Sequence, residues 1–184
     1  MPGRRANDES TAQLLERFEE RVCDYGATAQ RVPAADLAEM VAWTCAQLGV
    51  QSLAVPPELS DAWRPSGVAL HEDHALCTAD LDQIDGALTG CAVAIAQTGT
   101  LVLDGQSVSD RRALTVVPAH HICVVGADQV TGGLPEALAR VAPAAAHGWP
   151  IAFVSGPSAG FDIELGRGHG RPGPRHLVVL TVLN

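Results

Sequence analysis

The sequence predicts a single α/β domain, a sheet with flanking helices, spanning residues 10–184 behind a disordered start at residues 1–9. Stretches with helical spacing alternate with short, nearly continuous apolar runs, the pattern of a sheet covered by helices. The chain has 184 residues and is 47% hydrophobic, enough for one substantial core. Only 4% is aromatic, so that core is built from Ala, Val, Leu and Ile.

Taken in order, Ser10-Thr11 reads as an N-cap before Leu14, Leu15, Phe18 and Val22, a helical stripe. Ala35 to Gly49 is a second helix, with Leu37, Met40, Val41, Cys45 and Leu48 on its apolar face and Gly49 as its stop. Ser52 to Val55 is a strand broken by Pro56-Pro57, Glu58 to Trp63 a short helix, and Gly67 to Leu70 another strand. His71-Glu72-Asp73-His74 brings four potential ligands together, but after a strand it reads as a loop of solvated charges, and no metal site is expected. Asp80, Asp82 and Asp85 lead into Gly86 to Gly90, read as a turn-rich approach to the central stretch.

That stretch runs from Gly90 to Gly105 and reads as two buried strands, Ala92 to Ala96 and Leu101 to Leu103, around a polar corner at Gln97-Thr98-Gly99-Thr100. Gly99 permits positive φ or a close approach, while Thr98 and Thr100 offer hydroxyls and N–H groups to an anion or a carbonyl. An ordinary hairpin whose threonines satisfy their own backbone reads equally well. Beyond a polar connection containing Arg111 and Arg112, Ala113 to Val117 and Ile122 to Gly126 read as strands, and Leu134 to Val141 as a helix with Pro135 in its first turn. His120 and His121 would point to opposite faces, so at most one faces a site.

A second polar corner follows the strand Ile151 to Val154. Ser155-Gly156-Pro157-Ser158 places hydroxyls and N–H groups at the carboxyl end of that strand, where open α/β sheets bind ligands. Asp162 and Glu164 share a face if extended, with Arg167, His169, Arg171, Arg175 and His176 nearby. The arrangement suits acid–base work, a polar ligand, or a structural ion-pair network. Gly166, Gly168, Gly170 and Gly173 form a loop rather than a dinucleotide fingerprint, since no helix pattern follows and the apolar strand Leu177 to Leu183 does.

Composition removes several chemistries. All twelve basic side chains are arginine, which excludes an internal Schiff base, a Walker A lysine and a serine–lysine pair. The net charge of −9 argues against nucleic-acid or anionic-membrane surfaces, and no run reaches the roughly 18 apolar residues of a membrane span. Cys23, Cys45, Cys77, Cys91 and Cys123 have no cluster or zinc spacing, and with no secretory h-region they predict reduced thiols in the cytoplasm.

Three blocks in order carry a family resemblance: Ala94-Ile-Ala-Gln-Thr-Gly-Thr-Leu-Val-Leu, Val116-Val-Pro-Ala-His-His-Ile-Cys-Val-Val, and Ser155-Gly-Pro-Ser-Ala-Gly-Phe-Asp-Ile-Glu-Leu-Gly with His169-Gly-Arg-Pro-Gly-Pro-Arg. From Leu88 onward the chain resembles the LutC/YkgG family of LUD-domain lactate-utilisation proteins. The resemblance implies a fold like the ribose-phosphate isomerase and CoA-transferase group (NagB/RpiA/CoA transferase-like) and a part in oxidising L-lactate to pyruvate. It also implies that iron–sulfur clusters sit on partner subunits, with no cofactor bound directly by this chain. Thr98, Gly99, Thr100, Ser155, Gly156, Ser158, Asp162, Glu164 and His169 are the expected binding constellation for a small carboxylate or related anionic metabolite. Glu164 is the candidate catalytic group if the chain is instead a self-sufficient transferase or isomerase; a non-catalytic scaffold subunit is the third reading.

Overall fold

A computed structural model describes residues 10–105, 112–158 and 173–183; the start expected to be disordered lies outside them. The elements are α1 (Thr11–Asp24), β1 (Thr28–Pro33), α2 (Leu37–Leu48), β2 (Ser52–Val55), β3 (Ala69–Glu72), α3 (Thr78–Asp82), β4 (Gly86–Gly90), β5 (Val93–Ile95), β6 (Thr100–Leu103), α4 (Arg112–Val116), β7 (His120–Gly126), β8 (Val130–Thr131), α5 (Leu134–Ala146), β9 (Ala152–Val154) and β10 (His176–Leu183). Among the described residues, the strands form a six-stranded sheet in the order β1-β10-β7-β4-β2-β3 and a four-stranded sheet in the order β8-β5-β6-β9. Every pairing in the larger sheet is parallel. The smaller sheet pairs β5 with β6 and β6 with β9 antiparallel, and β5 with β8 parallel.

Side-chain alternation along the strands sorts the core into layers. One face of the large sheet, through Val32, Leu88, Ile122, Val124, Val178 and Leu180, packs on Leu37, Val41 and Cys45 of α2. Its other face, through Cys123, Val125, Leu177 and Val179, meets Leu15, Phe18 and Val22 of α1 together with Ala94, Leu101 and Leu103 of the small sheet. The far side of the small sheet, Val93, Ile95 and Val102, is closed by Ala137 and Val141 of α5. Leu81, Ile84 and Leu114 cap Ala54 and Ala87 from α3, the turn after it and α4. β5 and β6 are therefore buried on both faces, as their continuous apolar runs require.

The helix starts and stops follow local chemistry. Ser10 and Gln13 form a reciprocal capping box at α1. Gly49 ends α2 in the left-handed region at φ 69°. Six expectations are corrected. Gly86–Gly90 is not a turn but β4, fully buried between β2 and β7, where neighbours on both edges compensate for its small side chains. Ala113–Val117 is largely helical, because Leu114 turns into the α3 cluster and Pro118 ends the short helix. His71 and Glu72 belong to β3 rather than a loop, paired with Ala54 and Val55. Only Asp61–Trp63 of the expected 58–63 helix is helical, as a 3₁₀ turn capped by Ser60. α5 continues to Ala146 through Pro143. β1 has no counterpart in the sequence reading, because only Val32 of its six residues is buried.

Candidate functional site

The two polar corners meet. Leu101 pairs with Val154 across the antiparallel β6–β9 ladder, so Thr100 and Ser155, 55 positions apart in sequence, lie opposite each other at the ends of their strands. Their hydroxyl oxygens are 2.8 Å apart, and the Thr98 hydroxyl lies 2.7 Å from that of Thr100. Three hydroxyls thus form a string whose middle member is buried and whose two ends, Thr98 and Ser155, are exposed. Either hydroxyl can donate in each bond, and the Thr100 hydroxyl also lies 3.4 Å from the Thr98 carbonyl; when Thr98 donates to Thr100 and Thr100 to Ser155, the Ser155 proton is left to donate outward.

Two clefts flank the string. Ser155 opens into one of about 250 Å³, bounded by Thr115 and Val116 on one side and by Pro157, Ser158, Gly173 and Pro174 on another. Its wall is latched by backbone bonds, Ser158 N–H to the Pro174 carbonyl at 2.8 Å and Gly173 N–H to the Val116 carbonyl at 2.9 Å. Thr98 lies in a second cleft of about 490 Å³ with Arg21, Asp24, Tyr25 and Gln97. Arg21 and Asp24 pair at 2.8 Å on an exposed surface.

Gly99 has the positive φ its reading allowed, and both it and Gly156 lie close against backbone. At φ 59°, a Cβ on Gly99 would lie 2.6 Å from the Arg21 carbonyl carbon and the Val22 nitrogen. At φ 75°, a Cβ on Gly156 would lie 2.6 Å from the Tyr25 carbonyl oxygen. The close approach these glycines permit is to the carboxyl end of α1, which clamps both corners against each other. The Thr100 hydroxyl bonds the Thr98 hydroxyl, the Thr98 carbonyl and the Ser155 hydroxyl, so the hairpin corner both satisfies its own backbone and reaches the second corner.

Of the nine expected ligand residues, Thr98, Gly99, Thr100, Ser155, Gly156 and Ser158 converge here, whereas Asp162, Glu164 and His169 lie outside the described residues. β9 ends at Val154, directly before Ser155, but in the mixed small sheet, so the site sits at that sheet's edge. Tyr25, Thr115 and Val116 were missed; the signal available for Tyr25 was its being the chain's one tyrosine, immediately before Gly26. Among the described residues no group of three or more His, Cys, Asp and Glu could hold a metal.

The histidine pair divides as its alternation predicts. His121 is buried, with Nε2 2.8 Å from the Thr89 hydroxyl, and burial pushes its pKa down to about 4, so it is neutral at pH 7. His120 stacks on His176 with ring centroids 5.0 Å apart, and burial followed by the His176 charge lowers its pKa. Cys45, Cys91 and Cys123 are buried, Cys23 and Cys77 exposed. The Cys123 thiol, then burial, raises Cys91 well above its ordinary value.

The architecture defines an α/β protein with a parallel main sheet and a small-sheet edge carrying a hydroxyl-lined cleft. The LUD domain model matches residues 15–182, and the chain belongs to that family. It is 41% identical to lactate utilization protein C of Deinococcus radiodurans over 94% of this chain and 81% of the relative. An uncharacterized protein of Neisseria meningitidis serogroup B is 34% identical over 54% of this chain and 43% of its own length. The crystal structure of a DUF162 family protein from Deinococcus radiodurans superposes with a TM-score of 0.83 at 36% identity, covering 95% of this chain and 99% of that one.

Proposed function

We propose that this protein is a cytoplasmic lactate-utilisation subunit that holds a small carboxylate, lactate or pyruvate, in the cleft at Ser155. The observation that carries the reading is the hydroxyl string opening on that cleft. A carboxylate there accepts the Ser155 proton, Ser155 accepts from Thr100, and Thr100 from Thr98, so each bond strengthens the next. The likeness to a protein named for lactate utilisation supports this choice of acid, and the all-parallel main sheet is in keeping with a CoA-transferase-like fold. In this reading the chain binds and orients the acid, while oxidising L-lactate to pyruvate releases two electrons, which pass to iron–sulfur partner proteins, and two protons, which pass to solvent.

The test is a thermal-shift and calorimetric titration of the purified chain with L-lactate, pyruvate, a sugar phosphate and a CoA thioester, since a ligand specific to the native state raises its stability. Stabilisation by lactate or pyruvate that Ser155→Ala abolishes supports the reading. Stabilisation only by the sugar phosphate or thioester, or no binding of either acid alone or with redox partners present, overturns it.

A further inference from the structure

A third groove, of about 620 Å³, shares no lining residue with either cleft at the hydroxyl string and has the opposite chemistry. It lies between β1 and the face of α2 that bears Asp36, Glu39, Met40 and Trp43, spaced i, i+3, i+4 and i+7, while the core face of the helix carries Leu37, Val41 and Cys45. Trp43 is 50% exposed, a large aromatic surface open to solvent. Across the groove, the Gln30 side-chain oxygen is buried with no hydrogen-bond partner. Arg31, the one cation among the described residues lining the groove, is engaged elsewhere, since its Nε donates to both carboxylate oxygens of Glu19 at 2.9 Å. What remains is two carboxylates, an amide oxygen, a thioether and an indole face. This set receives a cation: carboxylates form charge-assisted hydrogen bonds with guanidinium or ammonium, and the indole attracts the same charge through its π face.

Beside the groove, β1 is an edge of the large sheet among the described residues, with β10 as its partner there. An edge strand can accept an added strand along its outer backbone. The chain's net charge of −9 also favours the approach of a basic partner. We propose that this groove is the docking site for an extended basic segment of a partner protein, which adds beside β1 and lays an arginine or lysine across Trp43 between Asp36 and Glu39. The site is independent of the carboxylate cleft.

The test is a titration of the ¹⁵N-labelled full chain, at low salt, with the peptide acetyl-Thr-Val-Arg-Val-Thr-amide, its citrulline counterpart and N-acetylarginine amide. The arginine peptide is expected to shift amides of residues 28–33 and 36–43 saturably, with the neutral citrulline peptide about tenfold weaker. Trp43→Ala and Glu39→Gln, both at exposed positions that leave the core intact, each weaken the arginine peptide about three- to tenfold, and Ser155→Ala leaves it unchanged. Equal affinity for the citrulline peptide, or absence of saturable shifts in these segments, overturns the proposal. So does N-acetylarginine amide binding as tightly as the peptide, which would mark a small-cation site, or concentration-dependent shifts without peptide, which would mark a second copy of the chain as occupant.

Discussion

Gly99→Ala tests whether the carboxyl end of α1 clamps the site. The new Cβ would stand 2.6 Å from two backbone atoms of α1, so helix or hairpin must retreat by about 0.8 Å to restore an ordinary 3.4 Å contact. Neither atom belongs to a side chain that can rotate away. Two costs add: about 1–2 kcal/mol for an L-residue in the left-handed region, and about 1–3 kcal/mol for overpacking. Gly49→Ala separates them, because Gly49 has nearly the same φ, 69°, yet nothing lies within 4 Å of its added Cβ. Urea denaturation of the two variants should therefore show Gly99→Ala less stable than Gly49→Ala by about 1–3 kcal/mol. In a thermal melt that difference is about 2–12 °C for a chain of this size. The displaced hairpin should also separate Thr100 from Ser155 and weaken carboxylate binding, which Gly49→Ala leaves intact. Equal destabilisation by the two substitutions would refute the clamp.

Three further outcomes follow from the same contacts. Thr100→Val removes the middle hydroxyl while keeping the β-branched shape; because Thr98 and Ser155 can turn to water, the loss should be only about 1 kcal/mol by urea titration, while carboxylate affinity falls about tenfold by calorimetry. The His121 pKa is about 4 when folded against 6.5 when unfolded, so the unfolded chain binds the extra proton between those values. Its stabilising contribution is present above pH 6.5 and is lost as pH falls toward 4, by on the order of 3 kcal/mol. Denaturation between pH 7 and 4 should show a smaller pH slope in His121→Gln, with His120, also lowered, supplying a residual slope of the same sign. A thiol reagent should titrate Cys23 and Cys77 rapidly and reach Cys45, Cys91 and Cys123 only on unfolding; fast reaction of more than two thiols would contradict the packing.

Elements were legible where burial wrote a pattern into the chain. α1, α2, β2, β5, β6, β7 and β10 carry helical spacing or apolar runs because each covers or fills the core. β1 left little trace because it is a mostly exposed edge. Glycines bracketing β4 mimic a turn, although the strand is buried at the centre of the sheet. The β-branched residues around Leu114 suggest a strand, but the helix forms because it sets that leucine against Leu81 and Ile84.

By itself the sequence determined the α/β class, the two hydroxyl-rich corners, the lysine-free chemistry and the family, because these depend on residue identity and local order. Only the tertiary structure decided that the two corners meet. A hydrogen bond between hydroxyls 55 positions apart depends on β6 and β9 pairing in a particular register, and register is set by packing between elements. The same holds for Gly99 and Gly156: positive φ is a local property, but the helix backbone that leaves no room for a Cβ is brought there by the folded core.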